Sequence, residues 1–288
     1  MGEARPSLPP ERTIGALADD MARLLAPSFG AESAREAREL LAALCDMPRH
    51  WPSLERSSAA DDVLWQRAIS AAERRSTGAP LQYAAGQACF RHLTLDVDER
   101  VLIPRPETEQ LVEIVLELAM QDEVSGRTVV DVGTGSGAIA LALASEGERA
   151  FARVIGTDVS LDALTVARAN AQRCAPVLRA EVEMRHGSLL GPVPERGLYA
   201  VVSNPPYIAY MEAPALPAEV RDWEPAVALF GGADGMAVTA RLVREAAAAL
   251  AAGGILALEV DARRAAAARA TRTTRATIAP PYASRERA

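Results

Sequence analysis

The chain has 288 residues, 49% hydrophobic and 24% charged, ordinary for a globular protein that buries a core and long enough for about two domains. Its net charge of −7, with no lysine and every basic residue an arginine, argues against a sheath of phosphate contacts as the main mode of binding. Scattered Cys45, Cys89 and Cys174 fit a reducing compartment better than a disulfide framework. No apolar run is long enough to span a bilayer and MGEARPSLPP lacks a signal-peptide core, so a cytoplasmic protein is expected.

Residues 1–10 read as a disordered lead. Thr13 then caps a helix carrying Ile14, Leu17, Met21, Leu24 and Leu25 on one face, with Pro27 expected to stop it. Ser33 and Glu36 form a capping-box pattern ahead of Ala37, Leu40, Leu41, Leu44 and Cys45. A third helix is expected over 61–75, burying Leu64, Trp65, Ala68, Ile69 and Ala72, with Gly78 placed to terminate it. Residues 1–78 therefore read as a small helical bundle, suited to recognising a substrate protein and carrying no chemistry of its own.

From 79 to 104 the pattern turns toward strands, with Phe90, Leu93, Leu95 and Val97 alternating, and this segment is assigned as a β-hairpin connector. Pro104 and Pro106 break the chain, and a helix follows over 108–120. Beyond it, strands are expected at 128–132, 153–157, 181–185, 198–203 and 255–260. Helices are expected at 138–144, 160–174 and 236–252. That alternation over 105–260 implies an α/β domain with a mainly parallel sheet and helices on both faces. Residues 261–288 have few large apolar side chains and several arginines. A helix through 265–270 is compatible with them, no strand is expected, and the segment reads as a poorly ordered tail rather than an RNA-binding arm.

Three constellations carry chemistry. In Asp131-Val132-Gly133-Thr134-Gly135-Ser136-Gly137 a strand passes through a glycine turn into a helix, which lets a ligand approach the backbone closely. The dinucleotide fingerprint would need glycine at Ala138, so a smaller nucleoside ligand suits the loop better. Asp158 ends the next strand, where an acidic side chain accepts hydrogen bonds from ribose hydroxyls; a helix cap is the plain alternative. Asn204-Pro205-Pro206-Tyr207 follows the strand at 198–203. Two prolines continue neither a ladder nor a helix, so a stiff turn presents one side-chain amide and several carbonyls, a cradle for a planar NH2 group. His50, His92 and His186 lie far apart, Asp19-Asp20 and Asp61-Asp62 read as solvated helix faces, and no metal-ligand spacing is present.

Together these motifs resemble the class I S-adenosylmethionine-dependent methyltransferases that act on an NH2 nitrogen, with a Rossmann-like sheet. Two further segments make the resemblance specific. Val101-Leu102-Ile103-Pro104-Arg105-Pro106-Glu107-Thr108-Glu109 lies upstream, and Glu224-Pro225 with Leu229, Gly231-Gly232 and Asp234-Gly235 lies downstream. With them the chain, from about residue 80 to 259, is similar to the HemK/PrmC family, which methylates the glutamine of the Gly-Gly-Gln motif in class I peptide chain release factors.

The resemblance implies roles by motif position. Gly133, Thr134, Gly135, Ser136 and Gly137 would wrap the methionine and ribose of S-adenosylmethionine, with Asp158 on the ribose hydroxyls and Leu189 beside the adenine. Asn204 and the carbonyl of Pro205 would accept the two hydrogens of the glutamine amide, with Pro206 and Tyr207 shaping the substrate site. Arg105 to Glu107 would line the edge of the cofactor pocket. Two departures stand out: Gly187-Ser188-Leu189-Leu190 carries no acidic residue where the family has one near the adenine, and the tail lacks the family's final helix and antiparallel strand pair. Glutamine methylation of a ribosomal protein, N6-adenine methylation of DNA and an inactive cofactor-binding protein are the competing readings. A monomer that contacts no nucleic acid and no membrane is expected.

Overall fold

The computed structural model describes residues 12–123, 125–261 and 263, together with the backbone of 276–278. The chain divides into two compact units, Met1–Gln87 and Ala88–Ala288.

The first unit is built from α1 (Ile14–Phe29), α2 (Ser33–Leu44), α3 (Trp51–Leu54), α4 (Asp62–Ser76) and α5 (Leu81–Ala85). Thr13 Oγ1 accepts the Ala16 N–H and Asp61 Oδ1 accepts the Leu64 N–H, so both long helices open on side-chain caps. Leu17, Met21 and Leu25, four residues apart on α1, are fully buried against Leu40 and Leu41 of α2 and Ala68 and Ala72 of α4. Each such side chain stabilises the bundle by roughly 1.5–3 kcal/mol.

Two local expectations fail here. Pro27 does not end α1, which runs to Phe29, whose ring lies 4.5 Å from the Arg75 guanidinium. Ser33 is the first residue of α2 rather than its cap, because Glu36 turns inward to take two hydrogen bonds from Arg75, at 3.1 and 3.0 Å. A buried charge pair outweighs a local capping pattern, since either group left alone would lose far more than one cap. Residues 81–85, expected as strand, form α5, and Gly86 ends it at φ +75. The hairpin that follows pairs β1 (Gln87–Phe90) with β2 (Leu93–Asp96).

The second unit continues with α6 (Pro106–Gln121), β3 (Arg127–Val132), α7 (Ala138–Glu146), β4 (Phe151–Asp158), α8 (Leu161–Cys174), β5 (Glu181–His186) and β6 (Leu198–Ser203). It closes with α9 (Ala218–Arg221), α10 (Ala226–Leu229), α11 (Ala237–Ala249), β7 (Leu250–Leu258) and β8 (Ala276–Ile278). The sheet order is β5-β4-β3-β6-β7-β8 and every neighbouring pair is parallel. All six residues of β6 are buried, as expected of a central strand covered on both faces. Helix α7 is buried from Ala138 to Ala144, which accounts for its lack of a polar stripe.

The strand order reverses between β3 and β6. The chain runs outward through β4 and β5, then returns to the other side of β3, so a crevice opens at the carboxyl ends of β3 and β6. The tail differs from expectation in one respect: Ala276–Ile278 forms β8, paired with Leu256 to Leu258 of β7, where no strand was expected. Three residues are too few for an alternating pattern to register, and the available edge of β7 supplies the pairing. The lead at 1–10 and the helix expected at 265–270 lie outside the described residues. Among the described residues no helix is long and apolar enough to cross a membrane.

Candidate active site

The loop after β3 folds back over the end of β4, because the N–H groups of Gly133 and Thr134 both donate to the Thr157 carbonyl, at 2.8 and 2.9 Å. Gly133 and Gly135 have φ of +74° and +54°, and a Cβ built on either meets no atom within 4 Å. The loop thus keeps two bare backbone positions in a conformation that L side chains rarely adopt. Asp158 braces it: Oδ2 accepts the Gly135 N–H and Oδ1 the Ser160 N–H, both at 2.9 Å. Ser160 itself caps α8, leaving Asp158 free of that task with unused lone pairs on both oxygens.

Asp131 lies beneath the loop. Its Oδ2 accepts from Thr134 Oγ1 and the Ala140 N–H, at 2.7 and 3.1 Å, and its buried Oδ1 has no partner. Burial above all, and then the negative charge of Asp158, push the carboxyl up to about 7.

A cavity of about 660 Å³ stands over this edge of the sheet, a size that accommodates a drug-sized ligand. Of the residues expected at the site, Gly133, Asp158, Leu189, Asn204, Pro205 and Pro206 line it. Thr134, Gly135, Ser136, Gly137 and Tyr207 are not among its walls. Thr134 is turned under the loop onto Asp131, the Ser136 carbonyl accepts from Asn170 Nδ2, Gly135 gives its N–H to Asp158 and Gly137 leads into α7. Tyr207 sits near Glu259 and Arg105, its hydroxyl pushed up to about 12 by burial first and then by Glu259. Further walls come from Val101, Leu102, Ser188, Ser203, Tyr210, Phe230, Val238 and Arg241, none of which the sequence reading gave a binding role.

These residues fit S-adenosylmethionine. The bare backbone at Gly133 admits close approach, Asp158 retains acceptor capacity for ribose hydroxyls, and Leu189 with Val159 offers apolar surface for a purine. The mutually repelling carboxylates of Asp131 and Asp158 also favour a cationic ligand at this edge.

Asn204, immediately after β6, is held by a chain of hydrogen bonds. Its Nδ2 donates to Thr108 Oγ1 at 3.1 Å, and Thr108 Oγ1 donates to Glu259 Oε2 at 2.6 Å. The Glu259 N–H donates to the Ser203 carbonyl at 3.0 Å. Thr108 belongs to the first turn of α6 and Glu259 follows β7, so three segments converge on one amide. Burial raises the Glu259 carboxyl above its ordinary range, opposed by the bond from Thr108 and by the charge of Arg105. Sequence reasoning gave neither Thr108 nor Glu259 a role, although Thr108 falls inside the Ile103-to-Glu109 motif.

Arg105, expected at the edge of the cofactor pocket, instead clamps Glu224: Nη2 lies 2.6 and 2.7 Å from the two carboxylate oxygens, and the Glu224 side chain is 1% exposed. The pocket edge is supplied by Arg100 to Leu102. The Asn204-Pro205-Pro206-Tyr207 turn is braced from the far side by residues 229–232. Ile208 N–H donates to the Leu229 carbonyl at 3.0 Å and Gly231 N–H to the Ile208 carbonyl at 2.9 Å. At Gly231 the Pro206 carbonyl comes so close that a Cβ would lie 2.3 Å from its oxygen.

Comparison with known proteins finds relatives across both units. Residues 19–86 match the PrmC N-terminal domain and residues 109–216 the methyltransferase small domain. The release factor glutamine methyltransferase of Moorella thermoacetica is 43% identical over 282 residues, covering 94% of this chain and 95% of its own. That of Gloeobacter violaceus is 45% identical over 202 residues, covering 69% and 66%, and that of Koribacter versatilis 42% over 217 residues, covering 75% and 74%. With identity at this level running through both units, the chain belongs to the release factor glutamine methyltransferase family.

Proposed function

We propose that this protein transfers a methyl group from S-adenosylmethionine to the side-chain amide nitrogen of the glutamine in the Gly-Gly-Gln motif of class I peptide chain release factors. One observation carries the reading: Asn204 and Pro205 line the same cavity as Gly133 and Asp158, so an acceptor for amide hydrogens shares a cavity with a cradle suited to the donor. Bound S-adenosylmethionine supplies an electrophilic methyl on a sulfonium.

The protein's own task is orientation. An amide nitrogen is a weak nucleophile because its lone pair is delocalised into the carbonyl. Asn204 Oδ1 and the Pro205 carbonyl accept its two hydrogens, fix the nitrogen in line, and support the positive charge that develops there. No titratable base is required, which suits a site where the Glu259 carboxylate is already engaged by Thr108. The helical unit is assigned to recognition of the release factor, and a substrate that acts on the ribosome implies a cytoplasmic enzyme. The net charge of −7 disfavours direct nucleic-acid contact.

The test is mass spectrometry of purified release factor after incubation with enzyme and S-adenosylmethionine. Addition of one methyl to the Gly-Gly-Gln peptide is expected, while duplex DNA incubated alongside acquires none. Asn204→Ala should keep cofactor affinity within about threefold and lose roughly 10²–10³ in kcat, the scale of removing one preorganised partner of a developing charge. Near-normal turnover of that variant contradicts the role given to Asn204.

A further inference from the structure

We infer that Thr108 and Glu259 are positioning residues that dictate which end of the Asn204 amide faces the substrate. The inference rests on the proposed function, because it concerns how that acceptor is presented.

An asparagine amide has two nearly isosteric ends, one accepting and one donating. Turned the wrong way at this turn, Asn204 would present NH2 to the NH2 of an incoming amide, donor against donor. Nothing in a strand followed by two prolines selects the correct end.

The selection is made at Glu259. A carboxylate accepts hydrogen bonds and donates none, so the 2.6 Å contact between Glu259 Oε2 and Thr108 Oγ1 consumes the single hydroxyl hydrogen of Thr108. Thr108 Oγ1 is then left with lone pairs only, and its 3.1 Å neighbour must donate to it: that end of the amide is Nδ2. The NH2 end of Asn204 is therefore directed at α6, and Oδ1 is left without a partner among the described residues on a side chain that lines the cavity. One charge thus sets the sense of a three-member chain.

Burial makes the constraint stringent. Thr108 is 4% exposed, so water offers it little alternative partner, and its backbone N–H is tied to the Arg105 carbonyl at 3.1 Å. Arg105 is in turn fixed by Glu224. The Glu259 N–H on the Ser203 carbonyl ties the carboxylate to the residue preceding Asn204. A Val at 108 keeps the shape and removes the polarity.

The experiment is a double-mutant cycle on the full chain, read as methyl transfer to release factor. Thr108→Val should lower kcat about tenfold or more, with KM for S-adenosylmethionine and for release factor within about threefold, and Thr108→Ser should restore most of the rate. In the Asn204→Ala background, Thr108→Val should cost less than about twofold, because a residue that acts through Asn204 has nothing left to orient. A kcat for Thr108→Val within twofold of wild type, or an equal loss in both backgrounds, overturns the inference. Should Thr108→Val not fold, Thr108→Ala takes its place in the cycle with the same expectations. A failure of the proposed substrate is seen separately, as no methyl on release factor with the wild-type enzyme. In that event the side-chain NH2 resonances of Asn204 decide: Thr108→Val should shift them and speed their hydrogen exchange, and unmoved resonances overturn the inference.

Discussion

Gly231→Ala perturbs the Asn204-to-Tyr207 turn from behind without touching any residue proposed to bind cofactor. The backbone at Gly231 does not have positive φ, so alanine brings no torsional strain and the effect is purely steric. Its Cβ would stand 2.3 Å from the Pro206 carbonyl oxygen and 2.6 Å from that of Gly235. Both atoms are backbone, so no side-chain rotation relieves the contact. Relief to the 3.0 Å below which Cβ contacts are essentially never seen needs a shift of about 0.7 Å, and ordinary contact needs more than 1 Å. Pro206 is the yielding neighbour closest to the chemistry, two residues from Asn204. A displacement of about 1 Å in a positioning element costs roughly 10² in rate. Overpacking of this kind costs about 1–3 kcal/mol of stability, or roughly 3–10 °C in Tm for a unit of this size. The assays are methyl transfer to release factor, thermal melting, and calorimetry with S-adenosylmethionine. Cofactor affinity should stay within about threefold, since Gly133 and Asp158 lie on the other strand ends. A variant within twofold of wild type in kcat and unchanged in Tm would refute the claim that residues 229–232 fix the turn.

Three further outcomes follow from charges at the site. Asp131, with its carboxyl near 7, is mostly neutral at pH 6 and mostly ionised at pH 8. Affinity for the cationic cofactor should therefore rise by about tenfold over that interval, and titration calorimetry of Asp131→Asn should show a flat profile. The sign for stability is opposite: a folded pKa above the unfolded one means the group's contribution is lost as pH rises from about 4 to about 7, a slope absent from Asp131→Asn in urea melts. Glu224→Ala leaves Arg105 without its buried partner. Because the Arg105 side chain is 33% exposed, the loss should be about 2–3 kcal/mol, below the range for a fully enclosed pair, and is read as a fall of roughly 5–10 °C in Tm. An unchanged melting temperature would show that solvent replaces the pair.

Elements with a strong period were legible before any coordinates. Thr13 caps the helix it was expected to cap, and the strand at 198–203 has the expected bounds, because each is specified by a few neighbouring residues. Legibility failed where a distant partner outbid a local pattern. Ser33 and Glu36 form a sound capping box in sequence, yet Arg75, 39 residues away from Glu36, takes the carboxylate. Likewise Arg105 stands in a motif that resembles a cofactor-pocket edge, and Glu224 draws it into an ion pair.

The site divides along the same line. Sequence by itself determined the pieces: a glycine turn after a buried strand, an acidic residue ending the next, and a rigid Asn-Pro-Pro turn ending another. Each is a statement about consecutive residues and backbone stereochemistry. Only the tertiary structure decided that they face one cavity, because the adjacency of β3 and β6 is a choice of strand order and the pairing of Asp131 with Val202 spans 71 residues. It alone decided, too, which end of Asn204 looks outward. That polarity is set by Glu259 through Thr108, residues brought together from opposite ends of the unit, and hydrogen bonding over such separations leaves no periodic trace in the chain.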